Sequence, residues 1–140
     1  MKKKTNSRSI KLTNRIDELT RISEFLEESA EIWGLSMPVT MSLNLVLEEA
    51  FTNVVQYGYT DEEEHAIELL MENSNNKLVI TLIDDARAYD PTAQSDPDIQ
   101  LAAKDRPIGG LGIFLIKKTM DEVRYYRKDE KNHLVMIKNI

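Results

Sequence analysis

The sequence predicts an α+β domain, a two-layer sandwich in which helices cover one face of a mixed, mostly antiparallel sheet. Two long segments carry apolar residues at intervals of three or four positions, which indicates amphipathic helices. Two pairs of short apolar or alternating segments are separated by turn-forming residues, which indicates antiparallel hairpins. The predicted order is one strand, two helices, two strands, a long loop, one helix and two strands.

The first half of the chain predicts one strand and two helices. The alternating segment SIKLTNR is a short edge strand. From Ile16 to Trp33 the apolar residues form one helical stripe, and Gly34 ends that helix, as glycine commonly does. Pro38 opens the second helix, because proline is best tolerated in a first turn, and Gly58 ends it.

The second half predicts two hairpins separated by a loop and a helix. AIELLMEN and KLVITLIDD flank the turn SNN, and the second arm is apolar almost throughout, as in a central strand. Residues 91–108 have no period and contain three prolines, which predicts a long loop that acts as a lid, with one helical turn near 99–103. GLGIFLIKKTM is a third helix. DEVRYYRKD and HLVMIKNI form a closing hairpin that turns at EKN.

Composition narrows the class of protein. The 140 residues predict a single domain at 9–140 after a disordered basic tail at 1–8. A net charge of −6 argues against sequence-independent nucleic-acid binding, which needs a cationic surface. No apolar run approaches the roughly 18 residues of a membrane span, and the N-terminus lacks the apolar core of a signal peptide, so a cytoplasmic protein with no membrane partner is expected. Without cysteine, and with two isolated histidines, neither thiol catalysis nor a histidine-rich metal site is expected.

The second predicted helix carries a polar pair. Glu49 and Asn53 are four residues apart, so they lie one turn apart on the same side, away from the apolar stripe. Such a pair can share a hard cation and a water: the amide oxygen ligates Mg²⁺, and the carboxylate orients or deprotonates a nucleophile. The alternative is an ordinary solvated pair on a helix surface.

A second polar group follows the central strand, in the segment IDDARAYDP. Carboxylates at the end of a strand are placed to accept hydrogen bonds from the amino group of a ligand, such as N6 of adenine. The alternative is an acidic turn in which Asp84 and Asp85 cap the segment that follows.

Three of the five glycines lie in the segment GGLG at the start of the third helix, formed by Gly109, Gly110, Leu111 and Gly112. Its backbone N–H groups and the positive end of the helix dipole suit a phosphate chain. The segment matches neither the Gly-x-Gly-x-x-Gly pattern nor the P-loop, and it does not follow a strand directly. Tight packing between helices is the alternative role.

Taken together, the three motifs resemble those of the Bergerat-fold ATPases, and in particular the small anti-sigma factor serine/threonine kinases of bacteria. EEAFTNVVQYGY resembles their asparagine box, DDARAYDP their first glycine box and GGLGIFLIKKTMDEV their second, and the resemblance extends over about Ile10 to Ile137. It implies that ATP and Mg²⁺ are the cofactors. It also implies that Glu49 is the general base, that Asn53 ligates Mg²⁺ and that Asp84 lies at the adenine position.

The same resemblance implies further contacts to ATP. The backbone of residues 109–112 cradles the phosphates beneath the 91–108 lid. Lys104 and Arg106 lie at the end of that lid, within reach of the γ-phosphate; the alternative for at least one of them is a solvated loop cation. Asp90, in the aromatic-aspartate-proline part of the first glycine box, is placed among the nucleotide-binding residues. Ala86 departs from the family, which has glycine at this position because the backbone passes close to the purine.

The implied function is phosphorylation of a seryl or threonyl hydroxyl on an anti-sigma-antagonist protein of the STAS type. The resemblance also implies that the chain sequesters a sigma factor, regulates transcription by partner switching and forms a homodimer. Two alternatives stay open: an adaptor of the same fold that has lost phosphoryl transfer, with or without nucleotide, and a sandwich with a purely structural role. A sensor histidine kinase is not expected, because the dimerisation helices and the phosphoacceptor histidine of that branch are missing.

Overall fold

A computed structural model describes residues 6–93 and 110–140, and these form one five-stranded sheet with three α-helices. The strand order is β1-β2-β3-β5-β4, and each pair of neighbours is antiparallel. The predicted α+β class, the edge position of the first strand and the central position of the third are therefore confirmed. The elements are β1 (Ser7–Thr13), α1 (Leu19–Trp33), α2 (Met37–Tyr57), β2 (Ala66–Ser74), β3 (Lys77–Asp84), α3 (Gly110–Thr119), β4 (Glu122–Lys128) and β5 (Lys131–Asn139), with 3-10 turns at Ile16–Glu18 and Pro91–Ala93.

The core lies between the sheet and the helices. Every second side chain of β3 is buried, including Leu78, Ile80 and Leu82, so one face of the strand is covered and the other is partly exposed. The helices supply the opposite wall, for example through Phe25 of α1 and Phe51 of α2. This alternation sets which residues at the end of β3 and in β5 point toward the helices, and so it positions the site described below.

The boundary between α1 and α2 lies where Gly34 and Pro38 predict it, because α1 ends before Gly34 and Pro38 lies in the first turn of α2. Gly34 has a φ of 65°, in the left-handed region that glycine adopts without strain. Leu35 then donates its backbone N–H to the carbonyl of Ala30, at 2.9 Å. Ser36 caps the start of α2, because its hydroxyl oxygen accepts from the backbone N–H of Val39.

The first strand begins earlier than the sequence predicted. Ser7 pairs with Glu72 of β2, so β1 includes the last two residues of the predicted disordered tail. Arg8 also ties this strand to α1, because its Nη1 donates to the carbonyl oxygen of Phe25 and to the hydroxyl of Ser29. Ladder pairing and these contacts order a segment that composition alone marked as a tail.

The two hairpin turns show one confirmed prediction and one error. The β2–β3 turn is centred on Asn75 and Asn76, which have φ values of 51° and 61°, as expected for a two-residue turn. The β4–β5 turn is centred on Asp129 and Glu130 instead of on EKN, with φ values of 54° and 62°. Asn132 is therefore not a turn residue. It lies in β5, paired with Arg127 and buried.

Candidate active site

A cavity of about 250 Å³ opens beside the C-terminal ends of α2 and β3. Apolar side chains make up most of its walls, and its polar groups come from separate parts of the chain, which is the usual composition of a small-molecule site. The lining includes Asn53, Tyr57, Asp84, Ala86, Ile113 and Asn132.

Glu49 meets the first turn of α3 at one end of this region. An ideal Cβ built on Gly112 would lie 2.7 Å from Oε2 of Glu49, which is closer than Cβ atoms approach other atoms in proteins. Residue 112 must therefore lack a side chain as long as the carboxylate keeps this position. Two of the three predicted motifs meet here, and the third glycine of GGLG has a physical explanation: it admits a carboxylate from α2.

The polar pair on α2 is available to a ligand. Asn53 lines the cavity, and Glu49 lies one helical turn before it; both side chains are partly exposed. Neither makes a side-chain hydrogen bond or an ion pair with residues 6–93 and 110–140. An unpaired amide oxygen beside an unpaired carboxylate suits Mg²⁺ and a hydroxyl nucleophile, so this end of the site fits the predicted metal chemistry.

Asp84 forms the opposite, buried end of the cavity. It ends β3 at 5% exposure, and its Oδ1 accepts from the backbone N–H of Ala86 (3.0 Å) and from Nδ2 of Asn132 (2.9 Å). Burial raises the pKa of the Asp84 carboxyl above its ordinary value, although the two hydrogen bonds act in the opposite direction. A buried acceptor in an apolar wall fits the amino group of a purine, as the sequence predicted.

Ala86 replaces the motif glycine, and the structure shows where its methyl group lies. Ala86 is 4% exposed, and an ideal Cβ on Gly58 would lie 2.8 Å from the Ala86 Cβ and 2.6 Å from the carbonyl oxygen of Val54. Arg87 donates its backbone N–H to the carbonyl of Gly58, at 3.3 Å. The end of α2 therefore packs closely against the loop after β3, and Gly58 provides room for the extra methyl.

Asn132 is a buried polar residue of the cavity that none of the three sequence motifs contains. It is 6% exposed, and it donates to Asp84 from the neighbouring strand. Asparagine favours turns, so the local sequence EKN predicts a turn at this position. Strand alternation is the signal that identifies it: in β5, Asn132 lies on the same face as Leu134 and Met136, both of which are buried.

A charged cluster flanks the buried end of the cavity at Asp84, which we call the base end because a purine base is predicted to bind there. Nδ1 of His65 lies 3.1 Å from Oδ2 of Asp85, and its Nε2 lies 2.8 Å from Oδ1 of Asp61. Tyr59 stacks on the imidazole and donates its hydroxyl to Oδ1 of Asp85. Hydrogen bonds to Asp85 and then to Asp61 raise the pKa of His65, which favours the charged imidazolium. Asp85 is thus held outside the cavity by side-chain contacts, whereas Asp84 both caps the following segment, through the backbone N–H of Ala86, and lines the cavity.

The other predicted site residues divide into two groups. Asp90 does not line the cavity: its Oδ1 accepts from the backbone N–H of Thr92 at 2.8 Å and from the Thr92 hydroxyl, so it caps the short turn at Pro91–Ala93. Its neighbours Tyr89 and Pro91 line the cavity instead. Gly110 is the first residue of α3. Lys104, Arg106, Gly109, the side chain of Leu111, most of the predicted lid and the helical turn near 99–103 lie outside the described residues.

The fold is that of an ATPase domain. Residues 12–138 match the histidine kinase-like ATPase domain, and the chain belongs to this family. The matched segment contains the cavity and every residue of the three motifs.

The curated relatives are protein kinases by name. The serine/threonine-protein kinase BtrW of Bordetella bronchiseptica is 30% identical over 101 residues, which cover 72% of this chain and 71% of the relative. The serine-protein kinase RsbW of Listeria monocytogenes is 32% identical over 111 residues, which cover 76% and 70%. An RsbW of Bacillus velezensis is 28% identical over 87 residues, or 59% and 54%. Within the described residues, no helix has the length and hydrophobicity needed to span a membrane.

Proposed function

We propose that this protein is a Mg²⁺- and ATP-dependent serine/threonine kinase that phosphorylates an anti-sigma-antagonist protein of the STAS type. The observation that carries the proposal is the position of Glu49. Its carboxylate has no partner among the described residues and lies against the first turn of α3. Glu49 is also one helical turn from Asn53, which lines the cavity. Membership of the ATPase family and the kinase relatives support the same assignment.

Each end of the site has its own task in this proposal. Asp84 accepts a hydrogen bond from the amino group of adenine, and the apolar wall packs against the ring. The backbone N–H groups at the start of α3 face the phosphates, where the helix dipole favours negative charge. The carboxamide oxygen of Asn53 holds the cation. When bound, Mg²⁺ neutralises charge on the transferring phosphoryl group.

Glu49 acts as the general base. It accepts the proton of a seryl or threonyl hydroxyl while that oxygen forms a bond to the γ-phosphorus and the bond between this phosphorus and the ADP oxygen breaks. Because its side chain is only partly buried, a hydroxyl on a partner protein has access to it. The family resemblance supplies the partner class, and with it a sigma factor as second partner and a homodimer.

Calorimetric titration of the purified protein with ATP, with and without Mg²⁺, tests the nucleotide site, and Asn53→Ala is the control. We expect Mg²⁺-dependent binding in the wild type and its loss in the variant. Tight binding that survives in Asn53→Ala would disprove the metal assignment. Transfer of ³²P from γ-labelled ATP to purified STAS-domain proteins of the same genome then tests the kinase activity.

Ala86 favours one competing function, an adaptor of the same fold without phosphoryl transfer. Ala86 lines the cavity, at the position where the family has glycine. Its packing against Gly58 favours retained nucleotide binding. An absence of ATP binding at millimolar concentration would make the adaptor the better description.

A further inference from the structure

The side-chain amide of Asn132 has only one orientation that satisfies its neighbours. Its Oδ1 accepts from the hydroxyl of Tyr125 and from Nη1 of Arg127, the latter at 2.9 Å. Arginine has donors and no acceptor, so the oxygen of the amide must face it. The amide nitrogen therefore faces Asp84 and the loop that follows.

This nitrogen reaches three acceptors around the start of the loop. Nδ2 lies 2.9 Å from Oδ1 of Asp84, 2.9 Å from the carbonyl oxygen of Arg87 and 3.3 Å from that of Ala86. Nη1 of Arg127 donates a second hydrogen bond to the Ala86 carbonyl, at 3.2 Å. Asn132 thus holds both the carboxylate of Asp84 and the backbone after it, in a buried position where hydrogen bonds are strong.

The two oxygens of Asp84 consequently have different surroundings. Oδ1 already accepts from Ala86 and Asn132, whereas no donor among the described residues reaches Oδ2. Because Asp84 lines the cavity, Oδ2 is the oxygen available to a ligand. As long as the carboxyl is ionised, the group opposite Oδ2 must be a donor, since two buried acceptors facing each other would both stay unsatisfied.

We propose that Asn132 is the positioning residue for purine selectivity. By occupying Oδ1 of Asp84 it presents Oδ2 to the cavity, which selects a 6-amino purine over a 6-oxo purine. The inference rests on the proposed nucleotide-binding function and adds the residue that orients the acceptor. Adenine places a donor at C6, whereas hypoxanthine places a carbonyl acceptor there, so ATP should bind roughly 10- to 100-fold more tightly than ITP.

The test is calorimetric titration of the full chain with Mg²⁺-ATP and with Mg²⁺-ITP. Asn132→Asp is the informative variant, because an aspartate keeps the oxygen that faces Tyr125 and Arg127 but loses both N–H donors toward Asp84. Asn139→Asp is the matched control, because it places the same change at the exposed end of the same strand. In Asn132→Asp the preference for ATP should fall to about threefold or less through weaker ATP binding, with ITP affinity changed by no more than about threefold.

The titrations distinguish failure of the role of Asn132 from failure of the proposed nucleotide site. An unchanged ITP-to-ATP ratio of dissociation constants in Asn132→Asp, or a wild-type ratio near one, overturns the role of Asn132 and leaves the nucleotide site standing. Failure of the wild type to bind either nucleotide at millimolar concentration overturns the proposed function as well. If circular dichroism shows that Asn132→Asp does not fold, Asn132→Leu removes the same donors without adding charge and is judged by the same ratio. If that variant does not fold either, a wild-type ratio near one still overturns the role of Asn132.

Discussion

The two ends of the cavity differ in how far their polar groups are already held in place. At the base end, Asp84 is 5% exposed, and Ala86 and Asn132 donate hydrogen bonds to one of its oxygens. At the phosphate end, Glu49 and Asn53 are partly exposed and have no side-chain partners among the described residues. One end is organised before a ligand arrives, and the other end keeps its polar groups free.

Burial explains this difference. A polar group that is removed from water must be paired within the protein, so the base end requires its network of hydrogen bonds. A partly exposed group is hydrated until a ligand replaces the water, and it needs no partner in the protein. The base end is thus suited to recognise a neutral ring by geometry, whereas the phosphate end is suited to bind a cation and accept a proton.

The largest effect is expected at the phosphate end, from Glu49→Gln. This change removes the base while keeping the shape of the side chain, so phosphoryl transfer should fall by roughly 10²- to 10⁴-fold. ATP affinity should change little, because the carboxylate is not placed on the cavity wall. Transfer to the STAS-type partner and calorimetric ATP binding measure the two quantities. Transfer at the wild-type rate would remove Glu49 from the mechanism.

At the base end, Asp84→Asn should weaken ATP binding by roughly 10- to 100-fold, because an amide N–H would replace the free acceptor that faces the purine. The same N–H can donate to the carbonyl of hypoxanthine, so ITP affinity should rise relative to ATP affinity. Calorimetry with both nucleotides checks this, and Asp85→Asn is the matched control. Equal losses for ATP and ITP would show that Asp84 does not read the base.

Gly112→Ala should impair the phosphate end of the cavity and leave the base end unchanged. The new Cβ would lie 2.7 Å from Oε2 of Glu49, so the flexible end of the glutamate must move away. We expect transfer to fall about tenfold through displacement of the base, with the melting temperature and the ATP/ITP preference nearly unchanged. Gly34→Ala is unsuitable as a control, because that glycine has a φ of 65° and alanine would be strained there. Unaltered transfer would mean that Glu49 does not act from this position.

The charged cluster beside the base end predicts a pH dependence of stability. The pKa of His65 is raised in the folded state by its hydrogen bonds to Asp85 and Asp61. Its contribution to the free energy of unfolding is therefore complete below the ordinary histidine pKa and is lost as pH rises through the raised value. Urea denaturation at several pH values should show this loss, and His65→Gln should flatten it. A pH profile that is unchanged in His65→Gln would show that this imidazole does not set the dependence.

The smallest effect is expected from Ala86→Gly. The methyl group packs toward Gly58 at the end of α2, so its removal should change ATP affinity by no more than about twofold. A calorimetric titration checks this prediction. Markedly tighter binding would show that the methyl crowds the purine, and the base end would then be less well organised than the hydrogen bonds indicate.

Local patterns in the sequence predicted most of the fold. The 3.6-residue period located the helices, Gly34 and Pro38 marked the boundary between them, and the asparagines at 75 and 76 located the β2–β3 turn. The prediction failed at the β4–β5 hairpin, where Asp129 and Glu130 adopt the left-handed conformation instead. Turn chemistry is degenerate for acidic residues and asparagine, and the register of the strands decides between neighbouring choices.

The sequence by itself determined the class of the fold and the three motifs around Glu49, Asp84 and Gly112, because helical period, strand alternation and motif spacing are local properties of a chain. Only the tertiary structure decided which groups meet. Asn132 donates to an aspartate 48 residues away, and Gly112 accommodates a carboxylate from another helix. Such contacts depend on strand register and helix packing, which bring together side chains that no local pattern connects.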